Sequence, residues 1–206
     1  GCGGTLLRHK EEGDSIHWLL VTGMSEGCGF SKEQIAVRDQ EIEQVNRQYG
    51  FNSLHRLELP PSSLDTVAHG KIVFGISQVI EKVRPDVVYS PYRNDAHSDH
   101  KIVFDAVMAA TKSFRYPFVK RVLTYETISE TDFGMKPEDG GFKPNVYVDI
   151  SSQLEKKLKI LDIFASEMGE FPFPRCRRSL EALATLRGAQ SNCFGAEAFV
   201  LIKEIL

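Results

Sequence analysis

What most constrains this chain is the regular handover, over its first 110 residues, between short apolar runs and longer amphipathic stretches. "TLLRHKEEG" sets Leu6 and Leu7 on one side and stops at Gly13, which predicts a short helix with a glycine end. "SIHWLLVTG" is a compact apolar run between turn residues, the pattern of a buried strand. "SKEQIAVRDQEIEQVNRQYG" opens on Ser31, carries Ile35, Ile42 and Val45 at helical spacing and closes on Gly50. "LHRLELPP" predicts a strand halted by Pro60 and Pro61. "TVAHGKIVFGISQVIEKVRPD" reads as a helix ended by Pro85, and "VVYSP" as a strand of about five residues after it. Strands that alternate with helices predict an α/β fold, here a Rossmann-like three-layer sandwich with a mostly parallel sheet.

Beyond residue 120 the rhythm loosens. "RVLTYETI" and "NVYVDIS" predict strands, separated by the Gly/Pro-rich loop "FGMKPEDGGFKP". "SQLEKKLKILDIFASEM" and "SLEALATLRGAQ" predict helices, and "EAFVLIKEI" a closing strand. With 206 residues and no internal repeat, low-complexity tract or linker, one domain spanning residues 1–206 is the economical reading.

Charge and cysteine usage narrow the function classes. A net charge of -3 gives no electrostatic reason to expect nucleic acid or an anionic membrane as partner. Cys2, Cys28, Cys176 and Cys193 form no CxxC pair and stand at no short spacing from a histidine, which argues against a thiolate zinc site. They read as reduced thiols, and with no apolar run near the ~18 residues of a membrane span the expected compartment is the cytoplasm. "GCGGT" lacks the spacing of a phosphate-binding loop. His17 reads as a packed strand residue, and His9, His55 and His69 as surface.

The chemistry concentrates in "YSPYRNDAHSDHKIVFDAVMAA", where His97, Asp99 and His100 fall within four positions between a strand and a helix. Loops at the carboxyl ends of parallel strands are where α/β proteins bind ligands. Residues three apart across a helix start can face one cavity. Imidazole is the commonest metal ligand and a versatile acid or base. Asp99 can fix a histidine tautomer or cap the helix. Spacing alone leaves a metal site, an acid/base pair and a helix cap all open.

The same residues carry a resemblance. "RPDVVYSPYRNDAHSDHKIVFDAV" resembles the second signature of the LmbE-like deacetylases, the PIG-L family that includes N-acetylglucosaminyl-phosphatidylinositol de-N-acetylase and the mycothiol- and bacillithiol-pathway deacetylases. "GCGGTLLRHKEEGDSIHWLLVTG" is similar to the family's first helix and second strand, "RDQEIEQVNRQYG" to its Arg-x-x-Glu helix, and "RSLEALATLRGAQSNCFGAEAFVL" to the C-terminal segment of bacterial members. The resemblance implies that His100 is a zinc ligand. It further implies that His97 polarises the substrate carbonyl or protonates the departing amine, and that Asp99 orients His97. Arg38 corresponds to an arginine near the substrate sugar and is expected on a polar cavity rim. Asp95 stands where some relatives place a tyrosine. The family's first motif, His-Pro-Asp-Asp-Glu, would precede "GCGGTL" and would supply the other ligands and the general base; it is not within these residues.

The implied function is zinc-dependent removal of an N-acetyl group from a small N-acetylglucosamine-type sugar or conjugate, without membrane or nucleic-acid partner and with homo-oligomerisation left open. The alternative is a degenerate Rossmann-like module that binds a sugar or nucleotide without chemistry. "GEFPFPRCRRS" mixes aromatics with arginines and is compatible either with a sugar-lining segment or with a loop on the protein's own surface.

Overall fold

A computed structural model describes residues 1–134, 138 and 140–206; the Gly/Pro-rich loop expected at 133–144 lies partly outside them. Its elements are α1 (Gly3–Glu11), β1 (His17–Thr22), α2 (Lys32–Tyr49), β2 (Ser53–Leu59), α3 (His69–Val83), β3 (Val87–Pro91) and α4 (Ser98–Ala110). They continue as β4 (Arg121–Tyr125), β5 (Val146–Asp149), α5 (Leu154–Leu161), α6 (Arg177–Ser191) and β6 (Ala196–Glu204). Among the described residues no helix is long and apolar enough to cross a membrane.

Local chemistry sets the boundaries. Ser31 caps α2 by accepting from the Gln34 amide, and the Gln34 side chain reciprocates at the Ser31 amide, a complete capping box. Gly50 ends α2 in the left-handed conformation at φ 64°. Arg84 does the same for α3 at φ 54°, immediately before Pro85. Helix α5 is shorter than its sequence pattern predicts. It stops at Leu161, because Ile163 and Phe164 turn into an apolar cluster while the amide and hydroxyl of Ser166 donate to Glu41 on α2. Tertiary contacts override helix propensity there.

The α/β class is as expected, and the strands form two sheets, the larger of which is mixed. β1 and β2 make a two-stranded parallel sheet, and β3-β4-β6-β5 a four-stranded one in which β3 and β4 are parallel whereas β4 and β6 are antiparallel. Helices α5 and α6 lie between β5 and β6, and β6 pairs with β4 from Arg121↔Glu204 to Tyr125↔Phe199.

The chain divides into two compact units. One comprises Pro61–Val146 and Ala198–Leu206 together with Gly1, the other Cys2–Pro60 and Tyr147–Glu197. In the first, Ile72, Ile76 and Ile80 recur every fourth residue along α3 and are buried, and α4 buries Ala106, Val107 and Ala110. Each such isoleucine contributes about 1.5–3 kcal/mol of burial. In the second unit Leu7, Ile16, Val45, Tyr49 and Ile160 form a cluster lined by Trp18 and Phe51, whose rings stack at 5.3 Å.

The second unit also buries a charge. The Glu197 carboxylate sits at the start of α1 and accepts from the amides of Gly4 (2.8 Å) and Thr5 (2.7 Å), from the Thr5 hydroxyl (2.6 Å) and from Lys157 Nζ (2.7 Å). Burial pushes its pKa up, but the Lys157 charge and the hydrogen bonds outweigh burial and hold it below the ordinary carboxylate value. It satisfies amides that a helix N-terminus otherwise leaves open. All four cysteines are free thiols, and burial pushes that of Cys2 up to about 12, so it stays protonated.

Candidate active site

Parallel strands β3 and β4 release two loops from the same end, residues 92–97 and 126–134, and these loops interlock. The Ala96 amide donates to the Glu130 carbonyl at 2.9 Å, and the Thr131 hydroxyl donates to Asp95 Oδ1 at 2.7 Å. Gly134 lies so close to the first loop that a Cβ there would stand 2.3 Å from the Asn94 carbonyl oxygen. His97 is the N-cap of α4, and His100 follows in its first turn, so one helix start presents both rings. The imidazoles stack with centroids 5.2 Å apart and planes inclined by 18°.

Their hydrogen bonds differ. His97 Nδ1 accepts from the backbone amide of Asp99 at 3.2 Å. A neutral imidazole that accepts at Nδ1 carries its hydrogen on Nε2. His100 Nδ1 instead faces the Asp95 carboxylate at 2.6 Å. A carboxylate accepts, so His100 carries a hydrogen on Nδ1, and in the neutral ring Nε2 keeps its lone pair. Adjacent rings are thus set in opposite tautomers by a backbone amide on one side and a buried carboxylate on the other.

One expectation needs correction. Asp99 does not direct its carboxylate to His97. It is buried and accepts from the amides of Ser62 (2.7 Å) and Leu64 (3.1 Å), tying the loop before α3 to the start of α4. Ser62 has a positive φ of 56°, a turn that leaves its amide in need of an acceptor. What Asp99 offers His97 is its backbone amide. Within the second unit the Arg38 guanidinium is engaged: Nε lies 3.1 Å from Glu41, Nη2 donates to Ser166 Oγ at 3.0 Å and also to Glu167, and Cζ stands 5.7 Å from the centre of the Phe164 ring.

Sequence reasoning identifies Asp95 only as a missing tyrosine. The available signal is that a carboxylate five residues before a candidate ligand can meet it across a helix start. His17 and His55 share the Ser53 hydroxyl, at 2.7 and 2.8 Å, on paired strands, so His55 is not simply surface. His9, Glu12 and Asp14 bring potential ligand atoms within 4.8 Å of one another at the exposed end of α1. There, however, His9 pairs with Asp14 and Glu12 with Arg8, and a carboxylate–imidazole pair at a helix end is explained without a metal.

A catalytic zinc takes three protein ligands and an open position, and its imidazole ligands usually hold a carboxylate at their second nitrogen. His100 with Asp95 has that form. Among the described residues, His100 is the ligand candidate at this helix start whose second nitrogen meets a carboxylate.

The class is that of an α/β N-deacetylase. The chain belongs to the PIG-L family, whose model, described as GlcNAc-PI de-N-acetylase, matches residues 1–111, more than half of the chain. It is 26% identical over 219 residues to the diacetylchitobiose deacetylase of Thermococcus kodakarensis, a match that covers 100% of this chain and 79% of that protein. Among solved structures it is similar to the conserved protein TT1542 of Thermus thermophilus, at a TM-score of 0.78 and 25% identity, over 100% of this chain and 90% of that one. The N,N'-diacetylchitobiose deacetylase of Pyrococcus horikoshii shares the fold, with a TM-score of 0.77 at 19% identity, over 98% of this chain and 78% of that one.

Proposed function

We propose that this protein hydrolyses the acetamide of a soluble N-acetylglucosamine-type sugar or sugar conjugate to acetate and the free amine, with zinc held in part by His100. The observation that carries the proposal is the pair of stacked imidazoles in opposite tautomers, one offering a lone pair and the other an N–H. Amide hydrolysis at a metal centre needs both: a ligand for the metal and a donor for the oxygen that becomes negative. Zinc, when bound, would polarise the acetyl carbonyl and lower the pKa of a water toward ~7.

The chain's own residues supply the rest. His100 Nε2 is the ligand atom. His97 Nε2–H donates to the oxyanion that develops on the acetyl oxygen; with Nδ1 already accepting an amide hydrogen, the neutral ring is built as a donor. This favours the carbonyl-polarising role over the amine-protonating one. Asp99 keeps the helix start and the 60–66 loop in register, so His97 keeps its direction. The diacetylchitobiose deacetylase relative supports an amino-sugar substrate, and the family membership supports the reaction.

The test is acetate release by the full-length protein across a panel of N-acetylated sugars, nucleotide sugars and amino acids. Release from at least one amino sugar, abolished by a chelator and restored by zinc, is expected. His97→Ala should then lower turnover about 10²–10³-fold, the usual cost of one oxyanion donor. Faster turnover of amino acids than of every sugar would overturn the substrate class.

A further inference from the structure

The Asp95 side chain has no solvent exposure, while its partner His100 is 24% exposed. Each carboxylate oxygen has one polar side chain: Oδ2 faces His100 Nδ1 and Oδ1 accepts from Thr131. Thr131 is itself held, its Oγ1 accepting from the Thr127 amide at 2.7 Å while its own amide donates to the Thr127 carbonyl at 2.8 Å. Unlike Glu197, Asp95 has no lysine or arginine among these partners. A buried carboxylate is costly unless its hydrogen bonds are kept. That cost acts as a constraint: His100 must give Asp95 its Nδ1 hydrogen.

We infer that Asp95, held by Thr131 from the loop after β4, is a positioning residue that fixes His100 as the Nδ1–H tautomer and so presents Nε2 for metal binding. The inference rests on the zinc reading for what His100 ligates, but not for the tautomer. Thr131 and Gly134 extend the device into the second loop, because the hydroxyl reaches Asp95 only where the loops approach closely, and any Cβ at residue 134 would part them. The ligand is therefore tuned by a loop that contains none of the expected ligands. Partners of this kind usually account for 10- to 100-fold in metal affinity.

Histidine nitrogen NMR on the metal-free, full-length protein tests this directly. In the unaltered protein His100 should show a protonated Nδ1 and a lone-pair Nε2, and His97 the reverse. In Asp95→Ala the His100 pattern should move toward Nε2–H while that of His97 stays, and zinc affinity, measured by chelator competition, should fall about 10- to 100-fold. The near-isosteric Thr131→Val should lower zinc affinity by less than Asp95→Ala, with His100 still Nδ1–H. An Nε2–H His100 in the unaltered protein would overturn the inference without any variant needing to fold. So would an unchanged tautomer and unchanged zinc affinity in Asp95→Ala. Failure of the unaltered protein to take up zinc, with the tautomers as stated, would instead remove the zinc reading and leave the tautomer assignment standing.

Discussion

Glu197 and Asp95 are both buried carboxylates with their hydrogen bonds made, and they do opposite things. Glu197 closes on itself: a lysine, two amides and a hydroxyl, all in the second unit, converge on it, and none of these partners has a free side facing outward. Among the described residues the Asp95 carboxylate meets a hydroxyl and an imidazole, and that imidazole keeps a second nitrogen on a partly exposed ring. Burial and hydrogen bonding therefore do not by themselves mark function. What distinguishes the two is whether a partner can pass the constraint on to a ligand. Glu197 holds α1 in place, whereas under the proposed function Asp95 sets a reactive atom.

The largest effect separating them should be on stability. Glu197→Ala leaves Lys157 as an unpaired buried cation and should cost about 3–5 kcal/mol in denaturant unfolding. Asp95→Ala removes hydrogen bonds to a hydroxyl and an imidazole and should cost less, about 1–3 kcal/mol. A larger stability loss at Asp95 than at Glu197 would break the contrast.

Asp99 offers a second, smaller cut. Asp99→Ala strands the amides of Ser62 and Leu64 and should cost about 1–3 kcal/mol. The His97 tautomer should survive, because it depends on the backbone amide of residue 99. A His97 ring that changes tautomer in this variant would restore the carboxylate-orients-histidine reading.

Smallest is the acid response. Because the pKa of Glu197 is held below its unfolded value of about 4.3, its stabilisation is complete above that value and is lost as the pH falls through the lower folded one. Glu197→Gln should flatten the acid limb of the stability profile in that range, and an unchanged limb would mean that Glu197 is not the buried group that takes up the proton.

Much of this was legible in the sequence wherever the signal is local. Ser31 and Gly50 bound α2 as its pattern predicts, and Pro85 follows the end of α3. The helix start carrying His97 and His100 could also be read, since spacing alone brings two residues onto one face. What escaped was set by distant partners. Helix α5 ends early because Glu41, some 125 residues upstream, takes the amide and hydroxyl of Ser166. Asp99 turns to Ser62 and Leu64, and Arg38 to Glu167, for the same reason. Asp95 gains its meaning only when Thr131 arrives from the other loop. A charged side chain in sequence announces that it needs a partner, but not which partner the fold will supply.

The central claim is that the two stacked histidines divide the work, His100 as ligand and His97 as donor. Zinc content of full-length His97→Ala and His100→Ala, measured beside acetate release, tests it most directly. His97→Ala should retain its metal and lose turnover, whereas His100→Ala should lose both. Equal loss of zinc from the two variants would contradict the division.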